Sequence, residues 1–370
     1  MGTQNQFNLL NGKRIFLTGH TGFKGSWLAL WLRQLGADVY GYSLPPPTEP
    51  SNYALSHVRD VLCGETLGDI RDRALLQTSM AGFQPDIVFH LAAQPLVRES
   101  YAAPFDTFDV NVMGTASLLD AVRALARPCA VICITTDKCY ENKEQVWGYR
   151  ECDPMGGHDP YSASKGAAEL LIASYRRSFF HPDRIAEHGV QLASARAGNV
   201  IGGGDWARDR IVTDMVNALM DNRPVPVRNP HAIRPWQHVL EPLSGYLTLA
   251  AAMLERPDPK WTSGWNFGPM PGTELSVGEL TSAFIGAWGS GEWTDQSSPG
   301  QPHEAEILRL TIEKAGCELN WKPRWTCHDM ITRTANWYRH VLRENADARV
   351  ECEADIKAFM AHHLYPSEQK

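Results

Sequence analysis

Short apolar runs alternate with stretches of helical pattern along the first half of the chain. Five of these runs are apolar and of strand length, which predicts buried strands at 14–19, 38–43, 61–67, 86–93 and 130–136. The stretches between and after them predict long helices at 25–36, 105–127 and 161–180. Because strands and helices alternate, we expect a parallel sheet covered by helices on both faces, as in a Rossmann-type doubly wound α/β fold.

The pattern loosens in the second half of the chain. From about residue 200, segments that are typical of loops, such as GGGDW, RNPHAIRPW and GPMPG, separate stretches that are mostly helical. We therefore expect a nucleotide-binding Rossmann domain over residues 1–190 and a smaller C-terminal domain, mainly substrate-binding, over 191–370. A segment at roughly 230–265 is expected to return to the first domain.

Composition narrows the classes of function. The 370 residues are 43% hydrophobic and 21% charged, and the formal net charge is −7, which disfavours binding to nucleic acid or to a membrane surface. The eight cysteines include no C-x-x-C pair, so no metal site and no disulfide framework is expected. The N-terminus has no apolar stretch of signal-peptide length, which favours a cytoplasmic protein.

A glycine-rich turn follows the first predicted strand and precedes a helix. Its spacing is G-x-x-G-x-x-G, which allows a tight turn and lets the backbone approach a dinucleotide pyrophosphate at the helix N-terminus. The alternative is an ordinary strand-to-helix turn with a solvated lysine. The candidates for cofactor contacts in this turn are Gly19, His20, Gly22, Phe23, Lys24 and Gly25.

The end of the second strand bears on the choice of cofactor. An acidic residue there would bind the ribose of NAD, and a basic one would favour the phosphate of NADP, but the strand ends in Ser43. Since no Lys or Arg occurs between Arg33 and Arg59, NAD is favoured, while Lys24 keeps NADP open. After the third strand, Asp69 and Ile70 are expected to contact the adenine, although Asp69 could instead cap the next helix.

Tyr161 and Lys165 lie at the start of the helix predicted at 161–180. Four residues separate them, so both project from one helical face. An ammonium group beside a phenol favours the phenolate, so we expect a lowered pKa for Tyr161 and a role as general base for a hydroxyl group. A surface pair without function is the alternative.

These elements together resemble the extended short-chain dehydrogenase/reductase superfamily, which carries a glycine-rich loop of this spacing and a downstream Tyr-x-x-x-Lys pair. Asn111 resembles its helix asparagine, and the run from His90 to Gln94 resembles its cofactor-facing strand end. The resemblance implies NAD as cofactor. It also implies further cofactor contacts from Leu91, Ala92, Ala93, Gln94, Asn111, Tyr161 and Lys165.

The segment after the fifth strand, TTDKCY, separates dehydratases from their relatives. Related epimerases have a hydroxyl with no acid here, whereas sugar-nucleotide 4,6-dehydratases place an acid and a second acid/base group. Elimination of water beside a C4 ketone needs two proton-transfer groups beyond the tyrosine, which Asp137 and Lys138 can supply. The alternative is a turn with two solvated charges.

The Asp-Lys pair resembles the CDP-glucose 4,6-dehydratases, as do TGHTGFKGSWL (18–28), TTDKCYENKE (135–144) and RAGNVIGGGDWA (196–207). This resemblance implies a lyase that forms CDP-4-dehydro-6-deoxy-D-glucose and water for deoxysugar synthesis, as in lipopolysaccharide O-antigens. We expect neutral Lys138 to take the C5 proton and protonated Asp137 to protonate the departing C6 hydroxyl, although the reverse assignment stays open. The implied catalytic set is Thr136, Asp137, Lys138, Tyr161 and Lys165.

Arginines cluster between residues 205 and 236 of this otherwise acidic chain. A guanidinium group suits a diphosphate, although interleaved aspartates make ordinary salt bridges at least as plausible for Arg208, Arg210 and Arg223. By position, the resemblance implies a CDP-sugar site. Its candidate residues are Gln94, Asn199, Arg210, Arg234 and His303.

Two other functions stay open from the sequence. One is a 4,6-dehydratase or epimerase that acts on another nucleotide sugar. The other is a non-catalytic nucleotide-sensing protein on the same fold, which would be expected to lack Tyr161, Lys165 or the glycine loop. The helices at 105–127 and 161–180 are apolar enough to leave surface beyond one sheet face, and members of the resembled family pair such helices, so a homodimer or a dimer of dimers is expected.

Overall fold

The computed structural model describes residues 6–297 and 308–361. Seven strands form one parallel sheet in the order β11-β6-β5-β4-β1-β2-β3, and short two-stranded pairs accompany it. The strands are β1 (Arg14–Thr18), β2 (Asp38–Ser43), β3 (Gly64–Leu67), β4 (Ile87–His90), β5 (Cys129–Ile134), β6 (Val190–Ala197), β7 (Val200–Ile201), β8 (Val225–Val227), β9 (Ile233–Arg234), β10 (Gln237–His238), β11 (Gly264–Phe267), β12 (Leu275–Ser276) and β13 (Trp293–Asp295).

Helices connect the sheet strands and cover the sheet. They are α1 (Phe23–Gln34), α2 (Asn52–Leu55), α3 (Arg73–Phe83), α4 (Val97–Ala102), α5 (Pro104–Phe108), α6 (Gly114–Leu125), α7 (Pro160–Ser178), α8 (Ile185–His188), α9 (Ile211–Met220), α10 (Leu240–Glu255), α11 (Val277–Trp288), α12 (Glu313–Leu319), α13 (Cys327–Arg343) and α14 (Ala348–Ala361). A π-helical segment, Asp109–Met113, joins α5 to α6. The five predicted strands correspond to β1–β5 and the three predicted helices to α1, α5–α6 and α7, each within three residues at either end.

The alternation of side chains along the strands explains why both faces of the sheet are covered. In β1, Ile15 and Leu17 belong to the core on one face, whereas Phe16 belongs to the core on the other. Each is fully buried. The continuous apolar strands therefore supply two hydrophobic cores, and the predicted doubly wound parallel sheet is confirmed.

The strand order reverses beside β1. This strand pairs with β2 on one side and with β4 on the other, so the chain winds outward in both directions from the junction of β1 and β4. In such sheets a crevice opens beyond the carboxyl ends of the two strands where the order reverses. The glycine-rich turn after β1 and the segment after β4 therefore face each other.

Later parts of the chain also contribute to the sheet, since β6 pairs with β5 and β11 pairs with β6 at the sheet edge. The predicted division into two domains stays a prediction. Among the helices of the described ranges, none is both long and apolar enough to cross a membrane.

Candidate active site

The glycine-rich turn packs tightly against the segment after β4. Gly19 has a φ of +77°, and a Cβ atom there would lie 2.7 Å from the Ala92 nitrogen. A Cβ atom at Gly25 would collide with the Gly19 carbonyl oxygen, whereas one at Gly22 would meet only that oxygen, at 3.4 Å. Gly22 is also the N-cap of α1 and offers no side-chain cap, so the first amides of the helix stay available to a ligand. The turn fits a pyrophosphate group.

The two charged candidates of this turn point to different places. The ring of His20 is fully buried, and its Nε2 lies 2.9 Å from Glu65 on β3. Burial lowers the pKa of His20, although Glu65 opposes the shift. Burial followed by the charge of Arg210 lowers the pKa of Lys24 to about 8, while Asp137 and Asp205 oppose it. Lys24 therefore interacts with Asp137 and Arg210, and the His20 side chain interacts with the sheet.

The residues after β2 and β3 surround the region expected for adenosine. Ser43 Oγ lies 2.8 Å from Thr21 Oγ1, and no carboxylate replaces it at the strand end. The Asp69 carboxylate binds Arg71, 2.7 Å from Nη2, which is the main cause of its lowered pKa. The alternative role of Asp69 as a helix cap is wrong, because Asp72 caps α3 by accepting from Leu75 N at 3.0 Å.

Asn111 connects the segment after β4 to α7. It lies in the π-helical segment, and its Oδ1 accepts from the amide of Gln94 at 2.8 Å. Its Nδ2 donates to Ser164 Oγ on α7 at 2.9 Å. The side chain of Gln94 donates to Thr107 Oγ1 at 2.9 Å, so it is engaged within the protein. A π-helical turn that re-aims one side chain is a frequent feature of functional sites.

Tyr161 and Lys165 lie in the first turns of α7, and both are buried. Burial raises the pKa of Tyr161 to about 12, while Arg210 and a hydrogen bond with Thr136 favour its ionised form. Burial lowers the pKa of Lys165 to about 8, and its charge interacts with Cys133, Cys139 and Glu169. The expected lowering of the pKa of Tyr161 is therefore wrong, because desolvation outweighs the charges around the phenol.

The segment after β5 brings an acid next to this tyrosine. Thr136 caps a short 3₁₀ turn and donates to Asp137 Oδ1 at 2.9 Å. Asp137 is 1% exposed, and its Oδ2 has no hydrogen-bond partner within the described ranges. Burial is the largest cause of the raised pKa of Asp137, with Lys138 opposing it. Thr136 therefore donates to Asp137 and also favours the ionised form of Tyr161, so its hydroxyl lies between these two groups.

The candidate substrate residues lie in different parts of the chain. Arg210 lies at the N-cap of α9 and interacts electrostatically with Tyr161 and Lys24. Asn199 follows β6, next to Gly198, where a Cβ atom would lie 3.0 Å from Asp137 Oδ2. Arg234 is buried in β9, whereas His303 lies outside the described residues.

Other arginines of the cluster form salt bridges. Arg223 binds Asp221, with 2.7 Å between Nη2 and Oδ2, and Arg228 binds both Asp209 and Asp214. The salt-bridge alternative is thus correct for Arg223. In the parts of the chain that the structure describes, no group of three or more His, Cys, Asp or Glu side chains could hold a metal ion.

Sequence reasoning missed one buried group behind the site. Glu169 is 4% exposed and forms an ion pair with Arg196 on β6, with 2.7 Å between Oε2 and Nη2. A signal for it was present, because Glu169 follows Tyr161 and Lys165 at the same spacing of four residues, on a face of α7 that is otherwise buried.

The reversed strand order, the glycine-rich turn and the Tyr161/Lys165 pair on α7 define a Rossmann-type protein of the extended short-chain dehydrogenase/reductase class. More narrowly, the chain belongs to the GDP-mannose 4,6 dehydratase family, whose family model matches residues 16–334.

Two relatives and two solved structures extend this comparison. The CDP-glucose 4,6-dehydratase of Salmonella typhimurium is 48% identical to this chain, over 96% of this chain and 98% of its own length. The dTDP-glucose 4,6-dehydratase of Streptomyces antibioticus is 31% identical, over 74% of this chain and 75% of its own length. The dTDP-glucose 4,6-dehydratase of Streptomyces venezuelae, solved with NAD bound, has a TM-score of 0.72 at 24% identity and covers 91% of this chain and 99% of its own. An epimerase of Methanothermobacter thermautotrophicus has a TM-score of 0.76 at 21% identity, over 92% of this chain and 96% of its own length. The two solved structures share the fold of this chain.

Proposed function

We propose that this chain is an NAD-dependent CDP-glucose 4,6-dehydratase, a hydro-lyase that forms CDP-4-dehydro-6-deoxy-D-glucose and water. The observation that carries the proposal is the buried carboxyl of Asp137, which accepts from the Thr136 hydroxyl at 2.9 Å and interacts electrostatically with Tyr161. An epimerase needs the tyrosine but no acid behind it. A dehydratase needs an acid that is protonated near neutral pH, and the raised pKa of Asp137 has that direction.

Each catalytic side chain has one task in this reaction. Tyr161 accepts the proton of the sugar C4 hydroxyl, positioned by Lys165. Lys138 removes the C5 proton, and Asp137 protonates the C6 hydroxyl as it leaves as water. When bound, NAD would supply the hydride acceptor for C4 and the hydride donor for C6, so the reaction would consume no oxidant.

Two proton movements then restore the site. Lys138 returns its proton to C5 after the elimination. Tyr161 still holds the proton from the C4 hydroxyl, and Asp137 has lost one to water. Since the Thr136 hydroxyl donates to Asp137 and interacts with Tyr161, it is proposed to pass this proton from Tyr161 to Asp137. The net change is the loss of one water molecule from the sugar.

The nucleotide half of the substrate is proposed from similarity. CDP as the nucleotide is supported by 48% identity to the Salmonella typhimurium enzyme over nearly the whole chain. Arg210 is proposed to bind the diphosphate, since its guanidinium lies near Tyr161. Asn199, Arg234 and His303 are proposed as further contacts. The product would supply deoxysugar synthesis, including that of lipopolysaccharide.

NAD is proposed to bind across the crevice at the junction of β1 and β4. The tightly packed Gly19 and Gly25, the uncapped start of α1 and the open side of Gly22 fit its pyrophosphate. Phe23, Ser43, Asp69, Ile70, the run Leu91–Gln94 and Asn111 are proposed as the remaining contacts. His20 is proposed to contribute through its backbone, since its ring is bonded to Glu65.

A direct assay tests the function. Purified protein is mixed with NAD and, in parallel, with CDP-glucose, dTDP-glucose, UDP-glucose or GDP-mannose, and the 4-keto product is followed by its ultraviolet absorbance in alkali. We expect product from CDP-glucose at a kcat/KM at least about tenfold above the other three, which corresponds to ~1.4 kcal/mol. Equal or greater turnover of another nucleotide sugar would assign a different substrate, and no turnover of any would favour the sensing protein.

We further propose a homodimer formed through α5, α6 and α7. Large apolar side chains on these helices are exposed, among them Phe105 (80%), Leu170 (63%) and Met113 (56%), the last from the π-helical segment. A second copy of the chain would cover them. A cytoplasmic location is supported by the eight unpaired cysteines, which suit a reducing compartment. The division into a Rossmann domain and a substrate domain near residue 190 stays part of this proposal.

A further inference from the structure

A buried ion pair lies directly behind the candidate catalytic residues. Glu169 is on α7, one turn after Lys165 and two turns after Tyr161. Its carboxylate accepts from Arg196 Nε at 2.9 Å and from Nη2 at 2.7 Å, a two-point contact between side chains that are 4% and 5% exposed. Neither side chain belongs to the proposed set of residues for binding or proton transfer.

This ion pair is bonded to both ends of the segment that carries Asp137 and Lys138. At the first end, Thr135 Oγ1 donates to Glu169 Oε1 at 2.5 Å. At the other end, Arg196 Nη1 donates to the Tyr140 hydroxyl at 2.6 Å. The Tyr140 hydroxyl in turn donates to Asn266 Oδ1 on β11 at 2.7 Å. The segment 135–140 is thus held at its two ends by one pair of opposite charges.

The charges of this pair are fully compensated. Burial alone would raise the pKa of Glu169, but Arg196 and the hydroxyls of Thr135 and Ser194 lower it below its ordinary value. Glu169 therefore stays ionised, and its oxygens receive four hydrogen bonds. A buried pair of this kind contributes little net stability, but it fixes the geometry of the groups that it joins.

We propose that Glu169 and Arg196 are positioning residues. They set the distance between Tyr161, the base of the oxidation step, and Asp137 and Lys138, the two groups of the elimination step. Tyr161 is fixed because it lies on the same helix as Glu169. Asp137 and Lys138 are fixed because the ends of their segment are bonded to the ion pair. This inference rests on the proposed function, since it divides that reaction into two halves.

The chain offers a matched pair of variants, because two buried hydroxyls donate to the same carboxylate. Thr135→Val removes the bond to the catalytic segment, whereas Ser194→Ala removes a bond of 2.8 Å from β6, which carries no elimination group. Each change costs one hydrogen bond to Glu169. They differ in whether the catalytic segment is released.

The test measures which chemical step limits turnover. With CDP-glucose deuterated at C4 or at C5, Thr135→Val is expected to raise the C5 isotope effect and to reduce the C4 effect, because elimination becomes the slower half. Its kcat should fall about 10- to 100-fold with KM changed less than about threefold, as for a small misplacement of catalytic groups. Ser194→Ala should match the wild type. NAD affinity, followed by tryptophan fluorescence, should be the same in all three proteins.

The alternatives give distinct results. Equal losses in both variants, or a Thr135→Val enzyme with unchanged isotope effects, would overturn the positioning role. Tyr140→Phe releases the other end of the segment and should reproduce the Thr135→Val pattern, so it decides the question if Thr135→Val does not fold. Failure of the proposed function is recognised separately, because the wild-type protein would then form no product from CDP-glucose.

Discussion

Asp137→Asn is the substitution that most directly tests the elimination chemistry. Asparagine has nearly the same volume as aspartate and keeps an oxygen that can accept from Thr136 Oγ1, now 2.9 Å from Asp137 Oδ1. The second oxygen of Asp137, which has no partner in the described part of the chain, would become an amide nitrogen. The variant should therefore fold as the wild type does, while it lacks a proton that can be donated to a leaving hydroxyl.

The expected size of the effect follows from the role of the group. Loss of a general acid typically slows the assisted step about 10²- to 10⁴-fold, which corresponds to ~3–5 kcal/mol. Oxidation at C4 uses Tyr161 and Lys165, so it should proceed in the variant. We therefore expect the absorbance of NADH to appear when the variant is mixed with CDP-glucose and NAD, and little 4-keto-6-deoxy product to follow.

A matched control separates this effect from the burial of an amide. Asp355 on α14 is also buried, has a pKa that burial raises to about 6, and lies outside the catalytic region, paired with Arg333. Asp355→Asn should change the midpoint of thermal unfolding but leave kcat within about twofold of the wild type. If Asp137→Asn forms product at the wild-type rate, Asp137 is not the acid and the reasoning is refuted.

Three further predictions address the cofactor, the assembly and pH. Ser43→Asp should tighten NAD binding about 10- to 100-fold and weaken NADP binding, measured by tryptophan fluorescence, because it adds a charge-assisted bond to the ribose; unchanged affinities would contradict the predicted position of Ser43. Leu170→Glu should shift sedimentation towards the monomer, whereas Val350→Glu, at a similarly exposed site on α14, should not. Burial raises the pKa of Glu241 from 4.5 to about 7, so its stabilising contribution is complete below pH 4.5 and is lost as pH rises through 7. Glu241→Gln should therefore gain ~3 kcal/mol of stability relative to the wild type between pH 5 and pH 8, and a constant difference in thermal unfolding across this range would exclude the titration.

The sequence predicted the sheet well, because its strands carry a signal that depends on few other residues. Each position of β5, and each of residues 15–17 in β1, faces one of two apolar cores, so burial requires a continuous apolar run, and such runs are visible in the sequence. The glycine-rich turn was visible for a similar reason, since the φ of Gly19 and its approach to Ala92 leave no room for a side chain. These features are determined locally.

The features that the sequence did not reveal depend on distant parts of the chain. The ring of His20 binds Glu65, a residue of β3. The position of His20 in the glycine-rich turn does not indicate this contact. The π-helical turn at Asn111 interrupts a helix whose sequence predicts an unbroken one. The pKa of Tyr161 was expected to fall because Lys165 is close in sequence, but burial by several elements decides its direction. Tertiary burial is not encoded in the spacing of two residues.

Burial acts on four ionisable groups of the candidate site in one consistent way. It raises the pKa of Tyr161 and Asp137 and lowers that of Lys24 and Lys165, so each group is shifted towards its neutral form. For Asp137 the neutral form is the one that donates a proton to a leaving hydroxyl. For Tyr161 the ionised form is required, and Arg210 is the group that most favours it. Arg210, the proposed ligand of the substrate diphosphate, thus also opposes the effect of burial on Tyr161, so the binding of the nucleotide and the charge of this tyrosine depend on the same side chain.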